Sequence, residues 1–222
     1  MKIKKQKFWL PLSIFGWPFW LPILLTGLIL ILTLSILYVP LAWLIGIVTL
    51  LCLAFFRDPI RKIPNEPDVM VAPADGKVTE ITRLERLEEF GGPALKIGIF
   101  LSVLDVHINR SPSDGVVESA EFTPGEFLDA RHPESGMRNQ ATKIVLKSGS
   151  GKLIVRQVVG AIARRIICPL EPGDRLERGE RFGMIAFGSR TELIVPEPEA
   201  WRVVVQTGQM VKAGSSVLLR RI

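Results

Sequence analysis

The sequence predicts a mainly β fold: a β-rich domain of barrel-sandwich, lipoyl-like type, preceded by a two-helix membrane hairpin. Three observations carry that expectation. Residues 8–56 contain no Asp, Glu, Lys or Arg. Beyond residue 57, short apolar runs recur between Gly- and Pro-rich turns with little helical periodicity. One turn motif also occurs twice, in residues 172–179 (Pro-Gly-Asp-Arg-Leu-Glu-Arg-Gly) and 207–214 (Thr-Gly-Gln-Met-Val-Lys-Ala-Gly). Each copy has a glycine, an aliphatic residue three positions on, and a glycine three further. Glycines so spaced supply positive φ in the tight turns of such a fold.

The chain has 222 residues and a net charge of +6, enough for one good-sized domain or a smaller one with an appendage. A bilayer core takes about 20 apolar residues per helix, so residues 8–56 suit two. The helices are expected at 17–37 and 41–56, with Tyr38-Val39-Pro40 as the break, because Pro40 lacks a donor and disfavours helix at Val39. The charge-free run exceeds the apolar core of a cleaved signal, and no small-residue cleavage site follows it. Lys2, Lys4, Lys5 and Lys7 flank one end, and Arg57, Arg61 and Lys62 the other. The positive-inside bias then puts both ends, and the main domain, on the cytoplasmic side of the cell membrane. The short second helix leaves open whether the hairpin crosses the bilayer or dips into it. Trp9, Trp17, Trp20 and Trp43 fit either interfacial positions or packing. The expected division is a hairpin and linker at 1–62 and a β-domain at 63–222.

Strands are expected at 69–72 and 77–83 around the turn Pro73-Ala74-Asp75-Gly76, then at 96–101 and 115–122. Residues 123–140 are polar and turn-rich, which reads as a functional or mobile loop rather than core. Residues 142–147 and 153–159 form a hairpin around Ser148-Gly149-Ser150-Gly151. Cys52 and Cys168 lie far apart in apolar contexts, which argues against a disulfide scaffold or a zinc site. With two histidines and no carboxylate spacing that suits a cation, no metal is expected.

Between two strand-like runs stands Gly188-Ser189. A serine hydroxyl can attack the carbonyl of the residue before it, and a glycine there has no Cβ to crowd the approach. Gly-Ser is also a common turn dipeptide. The other candidate, Gly214-Ser215, has a twin in Gly179 of the repeat and so reads most simply as a turn, whereas Gly188 has none.

Several motifs stand in a characteristic order: an apolar N-terminus, Pro-Ala-Asp-Gly at 73–76, Asp-Val-His-Ile-Asn-Arg at 105–110, Arg138-Asn139, Val159-Gly160-Ala161, and Gly-Met-Ile-Ala-Phe-Gly-Ser-Arg at 183–190. Together, over nearly the whole chain, they resemble the short form of phosphatidylserine decarboxylase, a pyruvoyl-dependent family that makes its cofactor from its own backbone. The resemblance implies that Ser189 Oγ attacks the Gly188 carbonyl and turns the amide into an ester. β-Elimination then releases a large chain, 1–188, and the resulting dehydroalanine hydrolyses to a pyruvoyl group and ammonia at the head of a small chain, 189–222. The two chains stay together as a heterodimer, with a higher oligomer left open. The pyruvoyl carbonyl forms a Schiff base with the serine headgroup of a phospholipid, accepts the electrons left by CO₂, and yields phosphatidylethanolamine.

Activating Ser189 requires a base. The family's self-cleavage is attributed to an Asp–His–Ser relay, in which Asp75 and His107 match the aspartate and the histidine. Without the resemblance, Asp75 reads equally as an Asx turn before Gly76. Longer relatives carry a second histidine where this chain has Arg110, so His107 serves both proton-transfer steps unless His132 supplies one. Arg110, Arg190 and Asn139 are candidate substrate contacts, Arg because it pairs with phosphate and carboxylate in bidentate fashion. Arg164-Arg165 is a solvated or membrane-facing pair. The implied partners are a lipid substrate and the membrane, with no nucleic acid. Two alternatives remain: a non-enzymatic, membrane-anchored lipoyl-like adaptor, and a decarboxylase of another serine-headed lipid.

Overall fold

The computed structural model describes residues 11–222 except Arg131, Pro133, Ser150, 162–164, Phe187 and Gly188. Lys2, Lys4, Lys5, Lys7, Trp9, Arg164 and Gly188 therefore lie outside the described residues. The chain divides into two compact units, one of residues 4–59 and the other containing 60–222.

The first unit is a helix pair. α1, Trp17–Leu37, and α2, Val39–Phe55, meet at Tyr38, whose extended backbone (φ −159°, ψ 92°) breaks the helical path. Pro40 falls in the first turn of α2, where a missing N–H costs nothing. The helix therefore starts at Val39 instead of 41. The two helices approach closely at Gly27, where a Cβ would lie 2.5 Å from Thr49 Oγ1. The stretch Ile14–Leu37, 24 residues, is long and apolar enough to cross a membrane, whereas α2 has 17.

The second unit is mainly β. Its first strands are β1 Val69–Val71, β2 Gly76–Leu87, β3 Gly92–Leu101, β4 Ile108–Arg110 and β5 Gly115–Thr123. After the one-turn helix α3, Ser135–Arg138, come β6 Ala141–Ser148, β7 Gly151–Val159, β8 Arg165–Ile167, β9 Arg175–Leu176 and β10 Arg181–Ala186. The last four are β11 Ser189–Pro196, β12 Trp201–Val203, β13 Met210–Val211 and β14 Val217–Arg221. An eight-stranded, curled sheet runs β13-β2-β3-β11-β7-β6-β5-β9, and two small sheets run β1-β14-β12 and β4-β10-β8. Alternate residues of the long strands point inward, among them Ile97, Ile99, Leu101, Leu153, Val155, Leu193 and Val195. They form one buried core with Phe182, Trp201, Leu218 and Leu219.

The strand order is palindromic. β2 and β5 each follow a Pro-x-Asp-Gly turn, at 73–76 and 112–115. Each shifts register at the same place, between Val78 and Glu80 and between Val117 and Ser119. Each is edged by one copy of the sequence repeat: Gly208 N–H donates to Val78 C=O at 2.8 Å, and Gly173 N–H to Val117 C=O at 2.8 Å. The repeat glycines match in backbone, with φ of 94° and 77° at Gly173 and Gly179 against 95° and 74° at Gly208 and Gly214. The unit is thus a pseudo-twofold pair. One half, β4 to β10, is continuous in sequence, and it is inserted into the other between β3 and β11. The chain enters the inserted half through residues 102–107 and leaves it after Ala186, the last residue of β10. At the equivalent position the inserted half has only the tight hairpin turn from Ser148 to Gly151.

The polar stretch 123–140, the cover loop, is mostly exposed and is held to the sheet at a few buried residues. Ala130, Ser135 and Asn139 are buried, and Arg156 Nη2 reaches from β7 to the Gly136 carbonyl at 2.6 Å.

Candidate active site

Leu101, where the chain leaves β3 for the inserted half, pairs with Ser189, where it returns in β11. Ser189 opens that strand and pairs with Leu101 on β3 and Val159 on β7, so it sits between two strands near the middle of the sheet. It is fully buried. Its Oγ has no hydrogen-bond partner among the described residues. A buried hydroxyl left unmatched costs about 1–3 kcal/mol, and such atoms cluster where chemistry needs them. Gly188 lies outside the described residues.

The incoming crossing carries the histidine. Asp105 Oδ2 accepts the Ser102 N–H at 2.7 Å and fixes the turn that follows β3. His107 is fully buried, and its Nδ1 lies 2.9 Å from the Asp105 carbonyl oxygen. A carbonyl only accepts, so Nδ1 carries the proton and Nε2 is the basic nitrogen of the neutral ring. The His107 carbonyl in turn accepts the Ile185 N–H at 3.3 Å, so this segment lies beside the last residues of β10, ahead of the Gly188-Ser189 bond.

Asp75 lies just before the start of β2. Lys77 pairs with Phe100, so the Asp75 turn stands beside the end of β3, across that strand from Ser189. Its Oδ1 accepts the Ala213 N–H at 2.8 Å, and its Oδ2 pairs with Arg61 Nη2 at 2.6 Å. Burial pushes its pKa up, Arg61 and the Ala213 N–H pull it back, and the Asp105 charge adds a further upward push. That repulsion links Asp75 electrostatically to the His107 crossing. Gly76 beside it has φ 139°, and a Cβ there would lie 2.1 Å from the Phe100 carbonyl oxygen, so only glycine lets the turn approach β3 this closely.

A chain of polar side chains runs under Ser189. Ser189 and Thr191 share the inner face of β11. Asn109 Nδ2 donates to Thr191 Oγ1 at 3.0 Å and to the Pro73 carbonyl at 3.3 Å, while Gln157 Nε2 donates to Asn109 Oδ1 at 2.8 Å. Asn109, Gln157 and Thr191 are fully buried, and Gln157 Oε1 has no partner among the described residues. This network ties the 73–76 turn, β4, β7 and β11 together. In the sequence Asn109 is only one letter of the Asp105–Arg110 stretch, and Gln157 and Thr191 are polar letters within apolar strands. That last feature was a readable signal of a buried polar site.

The remaining candidates occupy other surroundings. Arg190 sits on the opposite face of β11 from Ser189, by strand alternation. Its Nε donates to Glu192 Oε1 at 2.9 Å and its Nη2 pairs with Glu80, which Lys96 also holds at 2.7 Å. Arg156 binds the other Glu192 oxygen at 2.9 Å. Burial pushes Glu80 up, but hydrogen bonds from Lys96, Thr82 and Arg190 outweigh it and hold its carboxyl at about 2. Arg190 is thus committed to an ion-pair array on the outer face, away from Ser189. Arg110 is buried, donates to the Gly179 carbonyl at 3.0 Å, and lays its Cδ against Gly214. Asn139 spends its amide on the Leu128 and Val159 carbonyls, both at 2.8 Å, and accepts the Leu128 N–H at 2.9 Å. That ties the cover loop to the residue paired with Ser189. His132 is exposed in the same loop, and its Nδ1 accepts the Glu134 N–H at 3.3 Å. Burial pushes the Cys168 thiol up to about 11, which leaves it unreactive.

The candidate residues lie on elements that meet where one β-half is spliced into the other: a buried serine, an imidazole with one nitrogen pinned, and a buried carboxylate. Comparison with known proteins supplies the family. A family model described as phosphatidylserine decarboxylase matches residues 48–219. The phosphatidylserine decarboxylase proenzyme of Desulfotalea psychrophila is 44% identical over 171 residues, 77% of this chain and 79% of the relative. That of Salinibacter ruber is 46% identical over 76% of this chain and 74% of its own. That of Chlorobium chlorochromatii is 42% identical over 200 residues, 89% of this chain and 93% of its own. The chain belongs to the phosphatidylserine decarboxylase family, a family of carboxy-lyases.

Proposed function

We propose that this chain decarboxylates phosphatidylserine to phosphatidylethanolamine, after cutting itself between Gly188 and Ser189 into chains 1–188 and 189–222. The relatives' shared description as proenzymes of that activity supports the reading. The observation that carries it for this chain is the Ser189 hydroxyl, fully buried at the head of a central strand with no hydrogen-bond partner among the described residues. Such a hydroxyl is poorly explained by packing and well explained as a nucleophile waiting for its carbonyl.

The roles follow from the chemistry. His107 Nε2 takes the Ser189 proton as the hydroxyl adds to the Gly188 carbonyl, and Nδ1–H is held by Asp105 so that the right nitrogen is the base. Asp75, buried, stabilises the positive charge that develops on the imidazole. The resulting ester breaks by elimination. A pyruvoyl group at position 189 fits the surroundings, since conversion removes a buried donor that has nothing to donate to. When formed, that group supplies a carbonyl for the substrate amine and a sink for the electron pair left by CO₂. His107 then returns a proton during turnover. Arg110, Arg190 and Asn139, expected as substrate contacts, enter this reading as residues that hold the turns, strands and cover loop in place. The apolar stretch Ile14–Leu37 would anchor the chain in the cell membrane beside its lipid substrate, with the β-domain on the cytoplasmic side.

Intact mass of the purified protein tests the reading. The expected result is two chains, with the smaller beginning at position 189 and its N-terminus blocked. Full-length chain in an active preparation refutes it. Ser189→Ala stays uncut and inactive, whereas Ser215→Ala is cut normally.

A further inference from the structure

We infer that Arg61, in the linker between the apolar helices and the β-domain, is a positioning residue for Asp75: it keeps that carboxylate ionised and fixed for the self-processing step. The inference rests on the reading of Asp75 given above. In the sequence Arg61 looks like one of the basic residues that flank a membrane segment. In the structure its side chain turns inward from the surface. Its Nη2 lies 2.6 Å from Asp75 Oδ2, and the two side chains are 9% and 12% exposed. Its Nε is buried without an acceptor among the described residues, a cost that a purely structural cation would avoid by facing solvent.

The linker is seated so as to hold this pair. Two residues on, Ile63 enters the gap between the two equivalent turn glycines. A Cβ on Gly179 would lie 2.3 Å from Ile63 Cδ1, and one on Gly214 would lie 3.0 Å from it. Arg61 therefore reaches Asp75 from a docked segment. The Ala213 N–H grips the other carboxylate oxygen at 2.8 Å, so the carboxylate is held from both sides.

The pseudo-twofold provides an internal control. Asp114 is the equivalent of Asp75 in the inserted half. It accepts the Arg178 N–H at 2.9 Å, matching the Ala213 bond, yet it is exposed and has no ion pair among the described residues. The turn therefore needs its aspartate and one backbone donor, which both halves have. It does not need a buried guanidinium, which only Asp75 has. That extra cation marks the half whose aspartate is asked to stay charged while buried.

The charged and titratable groups on the elements around Asp75 are Arg61 in the linker, Asp105 and His107 in the crossing, Arg110 on β4, Lys77 on β2 and Lys212 in the 212–214 turn. Burial and Asp105 favour the protonated acid, and Arg61 leads the opposing contributions. Removing the guanidinium leaves burial unopposed by it, so the folded pKa rises, and a step that needs the carboxylate fails over a wider acidic range.

The test is the rate of appearance of the small chain, followed by denaturing gel across pH after cell-free synthesis of the full chain. Arg61→Gln should move the acidic limb of the rate profile up by about 1 to 3 pH units, with roughly ten-fold slower cutting per unit at a fixed pH below it. Raising the pH should restore the rate, and Arg61→Lys should lie close to the unaltered chain. An unmoved limb in Arg61→Gln overturns the inference, as does a loss that higher pH does not recover, the mark of a merely misfolded domain. Asp75→Asn separates the two ideas. If it blocks cutting while Arg61→Gln cuts normally, only the role of Arg61 falls. If it cuts normally, the relay reading falls and takes this one with it.

Discussion

At the scale of single residues, the site mixes groups that announce themselves and groups that do not. Ser189, His107 and Asp75 stood out because their neighbours in sequence carry the family's motifs. Asn109, Gln157 and Thr191 form the polar chain beneath Ser189, and their partners are 36 to 82 residues away in sequence, so no local pattern links them. Arg61 was misleading, since a basic residue after an apolar helix usually faces lipid headgroups, and only the fold shows it turned inward onto Asp75. Arg190 was misleading in the opposite way. Adjacent to Ser189 in sequence, it faces the other side of the sheet. Two predictions belong here. Asn109→Leu leaves Thr191 and Gln157 without their described partner, which should lower unfolding stability by about 1–3 kcal/mol and slow processing. Thermal unfolding and the cutting assay check both. Glu80 concerns pH. Its folded pKa, about 2, lies below the ordinary value of 4.5, so its ion pairs stabilise the fold above about pH 4.5 and that contribution is lost as pH falls toward 2. Glu80→Gln should therefore be less stable than the unaltered chain near pH 7, with the gap closing toward pH 2, as read from denaturant midpoints across pH.

At the scale of elements, the strand positions were legible from alternation and turn residues. The pairing of 142–147 with 153–159 holds in β6 and β7, whose register runs from Ala141 opposite Val158 to Ser148 opposite Gly151. The short strands β8, β9, β12 and β13 were not legible, because two or three residues carry no periodicity and exist only where a neighbouring edge accepts them. The cover loop 123–140 is mostly exposed, as its polar composition suggested, and what the sequence did not reveal is its few buried anchor points. One of these is the Gly136 carbonyl, held by Arg156, which also pairs with Glu192 on the sheet beneath. The turn before β2 is the element on which the site depends most. Gly76→Ala would require a left-handed backbone and push a Cβ into the Phe100 carbonyl. It should cost at least about 2 kcal/mol of stability and impair processing together with it, measurable by thermal unfolding and by gel.

At the scale of the whole molecule, the insertion of one half into the other accounts for how the chain would keep its shape after the proposed cut. In sequence the Gly188-Ser189 bond falls where the chain returns from the inserted half to β11, whereas the equivalent strands β6 and β7, within the inserted half, are joined by a tight turn with Ser148 paired to Gly151. Residues 189–222 supply β11, which is hydrogen-bonded to β3 over its full length and to β7 over most of it. They also supply β14, which lies between β1 and β12. The two chains should therefore co-elute under native conditions and separate only in denaturant. Size-exclusion chromatography of cut protein with and without urea checks this, and free small chain in native buffer would contradict it.

The sequence by itself determined the apolar helix pair, the β-rich class, the turn glycines and the candidate nucleophile. Each of these is set by local chemistry: charge exclusion, alternation, positive φ, or a hydroxyl beside a residue without a side chain. The tertiary structure alone decided which groups meet. The docked linker turned Arg61 onto Asp75, and the pairing of β3 with β11 set the entry into the inserted half beside Ser189. Those outcomes depend on contacts across tens of residues, whose free energy exists only once the sheet has closed and water has left its interior.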